Sequence, residues 1–394
     1  MNEALALDVL LVLVLLAYVV YGVRHGLSRT VFVIAGVIGG VVAAYFLAPI
    51  VGAWVPVPFL RPGVTILVAI GLVIAGHALG SAIGRGVRRG VEQTPLGGLD
   101  RLLGGLVAGV AAALVTSMLA FSVAQLGVPL LSRAILGSTV LRVITGLTPD
   151  PVEAFLAQVR SAVMAGSLPV IEGAIGVTGE PSIPQVDTGS AALDAAAASV
   201  VRITGNAYAC GQSQSGTGFV IADDRVITNA HVLAGVTEPV IEAPDGQVLS
   251  GSVVYFDPVD DLAVIAVPSL DAQALPTTST LAEGTDAAFQ GYPYGGPFSS
   301  GAAEVLSVSV ARVQDIYGSA SAPREIYTLA ADVREGNSGG PLLSLDGRVA
   351  GVIFARSGDT ANVGYAVTMT EFEPVAAQAS AMDAAVPTGA CIGG

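Results

Sequence analysis

Four nearly unbroken apolar runs open the chain, at Leu5–Val23, Val31–Val55, Val64–Ile83 and Leu106–Leu126. Each reaches the ~20 residues a helix needs to cross a bilayer. Together they predict an α-helical four-span membrane domain over residues 1–127. The first run does not read as a cleavable signal, because Met1-Asn2-Glu3 supplies no basic region and no small-residue cleavage site follows. Glycines recur every fourth residue at Gly76, Gly80 and Gly84, and again at Gly105 and Gly109. That spacing lets membrane helices approach closely, so a compact bundle is expected. Two polar residues interrupt the runs. Asp8 is expected at the interface, and His77 at a hydrogen-bonded packing position, with proton sensing as its alternative role.

The pattern then changes twice. Residues 128–197 are mixed and read as a connector with short helices. Asp150-Pro151-Val152-Glu153 has the proline and acids of a helix start, and Phe155, Val159 and Val163 would share one face. From Val200 onward, short β-branched runs such as Arg225–Thr228, Leu262–Val267 and Val349–Phe354 alternate with Gly, Asp and Pro. Many short strands without a helical period predict an all-β barrel or sandwich over 198–394.

Charge follows the same division. Up to residue 127 there are seven arginines against four acids, and afterwards ten against twenty-seven, with no lysine anywhere. The acidic second part excludes nucleic acid as a partner. Arginines also orient the spans: Arg24 and Arg29 lie in the first loop, Arg85, Arg88, Arg89 and Arg101 in the third, and only Arg61 in the second. By the positive-inside rule the first and third loops are cytoplasmic. Both chain ends, and the β-rich part, are then extracytoplasmic (the periplasmic side). In such a compartment Cys210 and Cys391 are expected to form a disulfide, two buried free thiols being the alternative. Two separated thiols with a single histidine make no zinc site, and no metal or cofactor is expected.

The chemistry concentrates in Gly336-Asn337-Ser338-Gly339-Gly340-Pro341, a serine on a glycine-rich turn whose N–H groups can converge on a developing oxyanion. Of three histidines only His231 lies beyond the hydrophobic third, and Asp260-Asp261 heads an apolar run some thirty residues later. His, Asp, Ser is one of the chain orders of a nucleophilic triad.

Gly216-Thr217-Gly218-Phe219, Thr228-Asn229-Ala230-His231-Val232, Asp261-Leu262-Ala263-Val264 and the Ser338 turn together resemble the trypsin-like serine proteases of the bacterial HtrA-type branch. Four spans before such a domain are similar to actinobacterial membrane-anchored proteases associated with acid resistance, whose membrane part resembles the colicin V production protein family. The resemblance implies a chymotrypsin-like double β-barrel. It implies Ser338 as nucleophile, His231 as general base and then acid, Asp261 (in preference to Asp260) as orienting carboxylate, and Gly336 and Ser338 as oxyanion-hole donors. Asp332, six residues before Ser338, would line the primary pocket and favour basic residues, or else cap its own turn. Asn337 stands where digestive trypsins carry the aspartate that pairs with a freed N-terminus, so that activation route is not expected. The function implied is a membrane-inserted serine endopeptidase that processes protein or peptide substrates of the cell envelope under acid or oxidative stress. The alternative is a membrane transporter or channel with a protease-like sensor domain.

Overall fold

The computed structural model describes residues 3–54, 61–91, 97–124, 131, 134–135, 137–161, 168–171, 179–207 and 212–392. The chain divides into two compact units, one of residues 6–117 and one built from 118–394 with the first five residues.

The helical unit contains α1 (Glu3–Ala53), α2 (Arg61–Val91) and α3 (Gly97–Ala124). Among the described residues these three are long and apolar enough to cross a membrane. At ~1.5 Å per residue, α1 is more than twice as long as the ~30 Å hydrocarbon core is thick. Gly26, at φ 75° and ψ 163°, breaks it between the first two predicted spans. The loop expected over 24–30 is therefore helical except at this one glycine. Asp100 explains the break: its Oδ1 accepts from the Ser28 N–H (2.9 Å) and hydroxyl (2.7 Å), capping the helix that restarts there.

Glycine then sets how closely the helices pack. A Cβ on Gly36 would collide with the Gly76 carbonyl, and one on Gly76 with the Gly36 carbonyl. Gly80 and Gly84 press on Phe32 and Arg29, and Gly105 and Gly109 on Val23 and Val19. The contacts Ser28–Asp100 and Arg29–Ser81 (3.1 Å) bring the arginine-bearing segments 24–29 and 81–101 to one end of the bundle. His77 is exposed on α2 and does not pack inside it, which corrects the expected packing role.

In the second unit α4 (Thr139–Leu147) is capped by Ser138, and α5 (Asp150–Ser161) begins at the expected Asp-Pro pair. Of the residues expected to share a face of α5, Phe155 is exposed, whereas Ala157 is buried against Gly296. The side chains of Val159 and Val163 lie outside the described residues. Strand β1 (Val170–Ile171) runs parallel to Arg356–Ser357, and α6 (Ala191–Ala197), capped by Ser190, buries Leu193 completely. Burying one leucine contributes about 1.5–3 kcal/mol, so the segment before residue 198 helps hold the β-rich part together.

Two seven-stranded sheets follow. The first contains β2 (Val200–Ala207), β3 (Gln212–Ala222), β4 (Arg225–Thr228), β5 (Val240–Glu242), β6 (Val248–Ser250), β7 (Ser252–Asp257) and β8 (Leu262–Ala266), in the order β6-β5-β2-β3-β4-β8-β7. The second contains β9 (Asp286–Gly291), β10 (Ser299–Gln314), β11 (Ser321–Ala330), β12 (Pro341–Ser344), β13 (Val349–Ser357) and β14 (Val363–Val367), in the order β1-β13-β12-β9-β10-β11-β14. Each sheet buries its own apolar cluster. A third cluster draws on both, joining Phe219, Ile227 and Leu262 to Phe354 and Tyr365. Phe219 stacks on Phe372 of α8 (Met369–Ala376), with centroids 5.9 Å apart. The tail then returns to the first sheet. Arg225 bonds Asp383 (2.6 Å), the Val386 N–H donates to the Val253 carbonyl (2.8 Å), and the Thr388 hydroxyl donates to the Val236 carbonyl (2.8 Å).

Candidate active site

Strand register brings the histidine to its carboxylate. Antiparallel pairing sets Thr228 of β4 opposite Ala263 of β8. His231, three residues past Thr228 on the single-turn helix α7 (Ala230–Leu233), therefore meets Asp261, two residues before Ala263. Asp261 Oδ1 accepts from the His231 backbone N–H at 2.9 Å, and Oδ2 lies 2.7 Å from Nδ1. Asn229 fixes the aspartate further by donating Nδ2–H to its main-chain carbonyl (2.8 Å). Asp261 holds a left-handed backbone at φ 56°, a conformation Asp and Asn tolerate better than most residues.

Asp260 is arranged differently. It is half-buried, its N–H donates to Asp257 Oδ1 (3.1 Å), and burial together with Asp257 pushes its carboxyl upward. The structure joins Asp261 to His231, not Asp260.

The serine turn closes on the same place from the second sheet. Gly339 packs onto Thr228, and Gly216 sits between the Val232 side chain and the Ser338 carbonyl. His231 is 0% exposed and Ser338 and Asp261 are each 2% exposed. His231 Nδ1 is committed to Asp261, while its Nε2 and the Ser338 hydroxyl are buried without a hydrogen-bond partner. A hydrogen bond between catalytic groups is often long before substrate binds and tightens in the complex. The arrangement offers an imidazole nitrogen and a hydroxyl in a buried site.

The turn itself is braced on four sides. The Tyr294 N–H donates to the Glu335 carbonyl (2.5 Å), the Thr217 hydroxyl to the Gly336 carbonyl (2.6 Å), the Gly340 N–H to the Asn337 carbonyl (2.9 Å) and the Thr217 N–H to the Ser338 carbonyl (2.8 Å). Asn337, 2% exposed, accepts the Arg334 N–H on Oδ1 (2.9 Å) and returns its own N–H to the Arg334 carbonyl (3.0 Å).

Asp332 does not stand alone at the base of a pocket. It is exposed, and Arg334 grips its Oδ2 from Nη2 (2.6 Å) and Nε (3.0 Å). Both residues line a cavity of about 460 Å³ with Asn337, Phe289 and Phe298. Asp332 is thus held in an exposed ion pair with a side chain two residues away, at the edge of this cavity. Cys391 is disulfide-bonded, and its sulfur lies against Gly235 just after α7. Cys210 lies outside the described residues.

Several contributors were not legible beforehand. Thr217 was visible only as a residue between two glycines. Arg202 on β2 pairs with Glu242 and donates to the carbonyls of Gly295 (2.9 Å) and Gly296 (3.4 Å). Arg324 on β11 is 2% exposed, with its guanidinium 5.1 Å from the Phe354 ring centroid. Burial depresses its pKa, and the charges of Asp261 and Asp260 act in the opposite direction. No local motif announces a residue whose partners come from other strands.

Known proteins repeat both halves of this chain. Residues 216–352 match the trypsin-like peptidase domain family, and residues 7–149 match the colicin V production protein family. The serine protease Rv3671c of Mycobacterium tuberculosis is 32% identical over 396 residues, covering 98% of this chain and 98% of that protein. The crystal structure of its protease in the active form matches with a TM-score of 0.51 at 36% identity, over 55% of this chain and 98% of that one. A probable periplasmic DegP-like serine endoprotease of Halomonas elongata is 34% identical over 175 residues, 41% of this chain and 34% of its own length. Likeness to Rv3671c runs from the helices through the peptidase, and on that ground the chain belongs to its family of trypsin-like serine proteases.

Proposed function

We propose that this protease is a membrane-anchored, extracytoplasmic endopeptidase with Ser338 as nucleophile, His231 as general base and acid, and Asp261 as the orienting carboxylate. The observation that carries the reading is the buried His231–Asp261 pair. Its Nδ1 is held at 2.7 Å, which leaves Nε2 available beside the Ser338 turn. The two sheets are then the two barrels of a chymotrypsin-like fold, with substrate bound between them.

In the reaction, Nε2 takes the Ser338 proton as Oγ bonds to the substrate carbonyl carbon. The carbonyl electron pair moves onto oxygen, where the N–H groups of Gly336 and Ser338 hold it. His231 returns the proton to the departing amine. Water then gives a proton to the same nitrogen and attacks the acyl carbon; the bond from that carbon to Oγ breaks, the acid product leaves, and His231 returns the proton to Ser338. Asp261 stays ionised throughout and stabilises the imidazolium.

The helical part acts as the anchor, crossing the membrane four times if α1 turns back at Gly26. The arginines gathered at one end of the bundle support a cytoplasmic location for that end, which leaves the protease outside. There a Cys210–Cys391 disulfide would pin the tail, and proteins of the envelope would be the substrates, under acid or oxidative stress. With Asp332 engaged by Arg334, we assign no preference for basic residues.

Labelling of the full-length protein with a fluorophosphonate probe tests the assignment. Labelling should vanish in Ser338→Ala, and persistent labelling of that variant would overturn the nucleophile.

A further inference from the structure

We propose that Thr217 is a positioning residue for the oxyanion hole, its hydroxyl on one sheet holding the peptide plane at Gly336 in the other. The inference rests on the assignment of Gly336 and Ser338 above.

A backbone oxyanion hole works only if two N–H groups point at one spot. In a trans peptide the N–H points opposite to the C=O, so each N–H direction can be read from the partner of the preceding carbonyl. The Gly336 N–H belongs to the plane whose Glu335 carbonyl is held by Tyr294, and the Ser338 N–H to the plane whose Asn337 carbonyl is held by Gly340. Between them lies the Gly336–Asn337 plane, and its carbonyl is held by the Thr217 hydroxyl at 2.6 Å. If that middle plane turned, it would change the dihedrals on both sides and separate the two N–H groups.

Such a turn is a real alternative at this position. Gly336 sits at φ 88°, and glycine moves between positive and negative φ with little steric cost. The plane is held from within the turn by the Asn337 N–H, which donates to the Arg334 carbonyl (3.0 Å), and from outside it by the Thr217 hydroxyl. Three of the four carbonyl anchors are backbone N–H groups, and the Thr217 hydroxyl is the one supplied by a side chain.

That hydroxyl has a fixed polarity. It accepts the Tyr292 N–H at 3.0 Å, so its single proton goes to Gly336. Tyr292 leads directly into the Pro293–Gly295 turn, whose Tyr294 holds the neighbouring carbonyl. One hydroxyl therefore secures the middle plane directly and the Glu335–Gly336 plane through two residues of chain. Thr217 is fully buried, and its own N–H and C=O are taken by the Ser338 carbonyl and the Thr228 hydroxyl (2.7 Å). The hydroxyl is thus presented from a fixed strand.

The test compares Thr217→Val, which keeps the shape and removes donor and acceptor, with Thr217→Ser, which restores both. Each is made in the full-length chain in detergent. The readouts are kcat and KM on a fluorogenic peptide, and inhibition by a peptide boronic acid of the same sequence, whose tetrahedral adduct occupies the oxyanion hole. We expect kcat to fall about 100-fold in Thr217→Val with KM little changed, the scale of losing one oxyanion-hole donor. Boronate affinity should fall in parallel with kcat/KM, and Thr217→Ser should recover most of both.

Wild-type boronate affinity in Thr217→Val would overturn the proposal, as would equal losses in the Val and Ser variants. Should Thr217→Val fail to fold, Thr217→Ala takes its place with the same two outcomes. Fluorophosphonate labelling that survives Ser338→Ala would instead sink the site assignment, so the two failures are distinguishable.

Discussion

Replacing Asp261 with asparagine tests the proposed mechanism at its most constrained point. The carboxylate accepts two hydrogens, from the His231 backbone N–H (2.9 Å) and from Nδ1–H (2.7 Å). Asparagine offers one acceptor oxygen and one NH2 group. The backbone N–H can only donate, so it keeps the oxygen, and the NH2 group turns toward Nδ1. His231 must then present a lone pair at Nδ1 and carry its proton on Nε2, the tautomer that cannot accept the Ser338 proton. The expected loss in kcat is about 10⁴-fold, or roughly 5.5 kcal/mol. Loss of an ordinary hydrogen bond, at about 0.5–1.5 kcal/mol, would remove far less. Folding should survive, because Asn tolerates φ 56° and the Asn229 bond goes to the main-chain carbonyl of residue 261. Steady-state kinetics on a fluorogenic peptide, with thermal unfolding as the folding control, measure the effect. Asp260→Asn serves as comparison and should stay near wild type. Less than a tenfold loss in Asp261→Asn, or the larger loss in Asp260→Asn, would refute the reasoning.

Two further outcomes follow from the charges and the tail. Burial raises the carboxyls of Asp260, Glu335 and Glu371 above their ordinary values. Groups raised on folding add stability that is full below the unfolded value near ~4 and is lost as pH rises through the folded value. Thermal unfolding of the protein should therefore show stability holding or rising as pH falls from neutral toward the ordinary carboxylate range, with a weaker trend in Glu371→Gln. A steady fall in Tm on acidification, alike in both proteins, would contradict this. Cys391→Ser should lower Tm, since a disulfide closing so long a loop contributes up to about 5 kcal/mol in the chain-entropy account. The tail should stay docked through Thr388, Val386 and Asp383. Turnover should fall, because the Cys391 sulfur lies against Gly235, two residues past the helix of His231, and that contact is lost; unchanged turnover would cut that link.

The chemistry was legible in the sequence because its residues sit in short motifs where local backbone and side chain act together. The Gly336–Pro341 turn, His231 and the Asp261-Leu262-Ala263 strand start each carry their role within a few residues. The preference for Asp261 over Asp260 came from the family resemblance, and the register of β4 and β8 gives its pairing with His231 a physical reason. The helical packing was legible for a similar cause, since four-residue glycine spacing is itself a surface that another helix fits. Reading failed where a partner comes from far along the chain. The break at Gly26 depends on Asp100, and the exposure of Phe155 depends on α5 packing through Ala157. Asp332 is a different case: its partner Arg334 is only two residues away, and the spacing to Ser338 says nothing of that pair.

Those distant partners bear on how the site is kept ready. Asn337 closes its turn within the chain, exchanging two hydrogen bonds with Arg334, so the turn needs no ion pair from a freed terminus. Its remaining support comes from Thr217 and from the loop around Pro293–Gly295. That loop is held in turn by Arg202 of the first sheet, through the Gly295 and Gly296 carbonyls, and by Ala157 of α5, packed against Gly296. Burial works against the charge of Arg202, but Glu242, with Tyr292 and Glu153, more than offsets it and holds its pKa above the ordinary value. The segment that joins the membrane helices to the protease thus rests on the same loop that orients the Glu335 carbonyl. If Gly336 and Ser338 form the oxyanion hole as proposed, α5 touches its support through Gly296 and Tyr294.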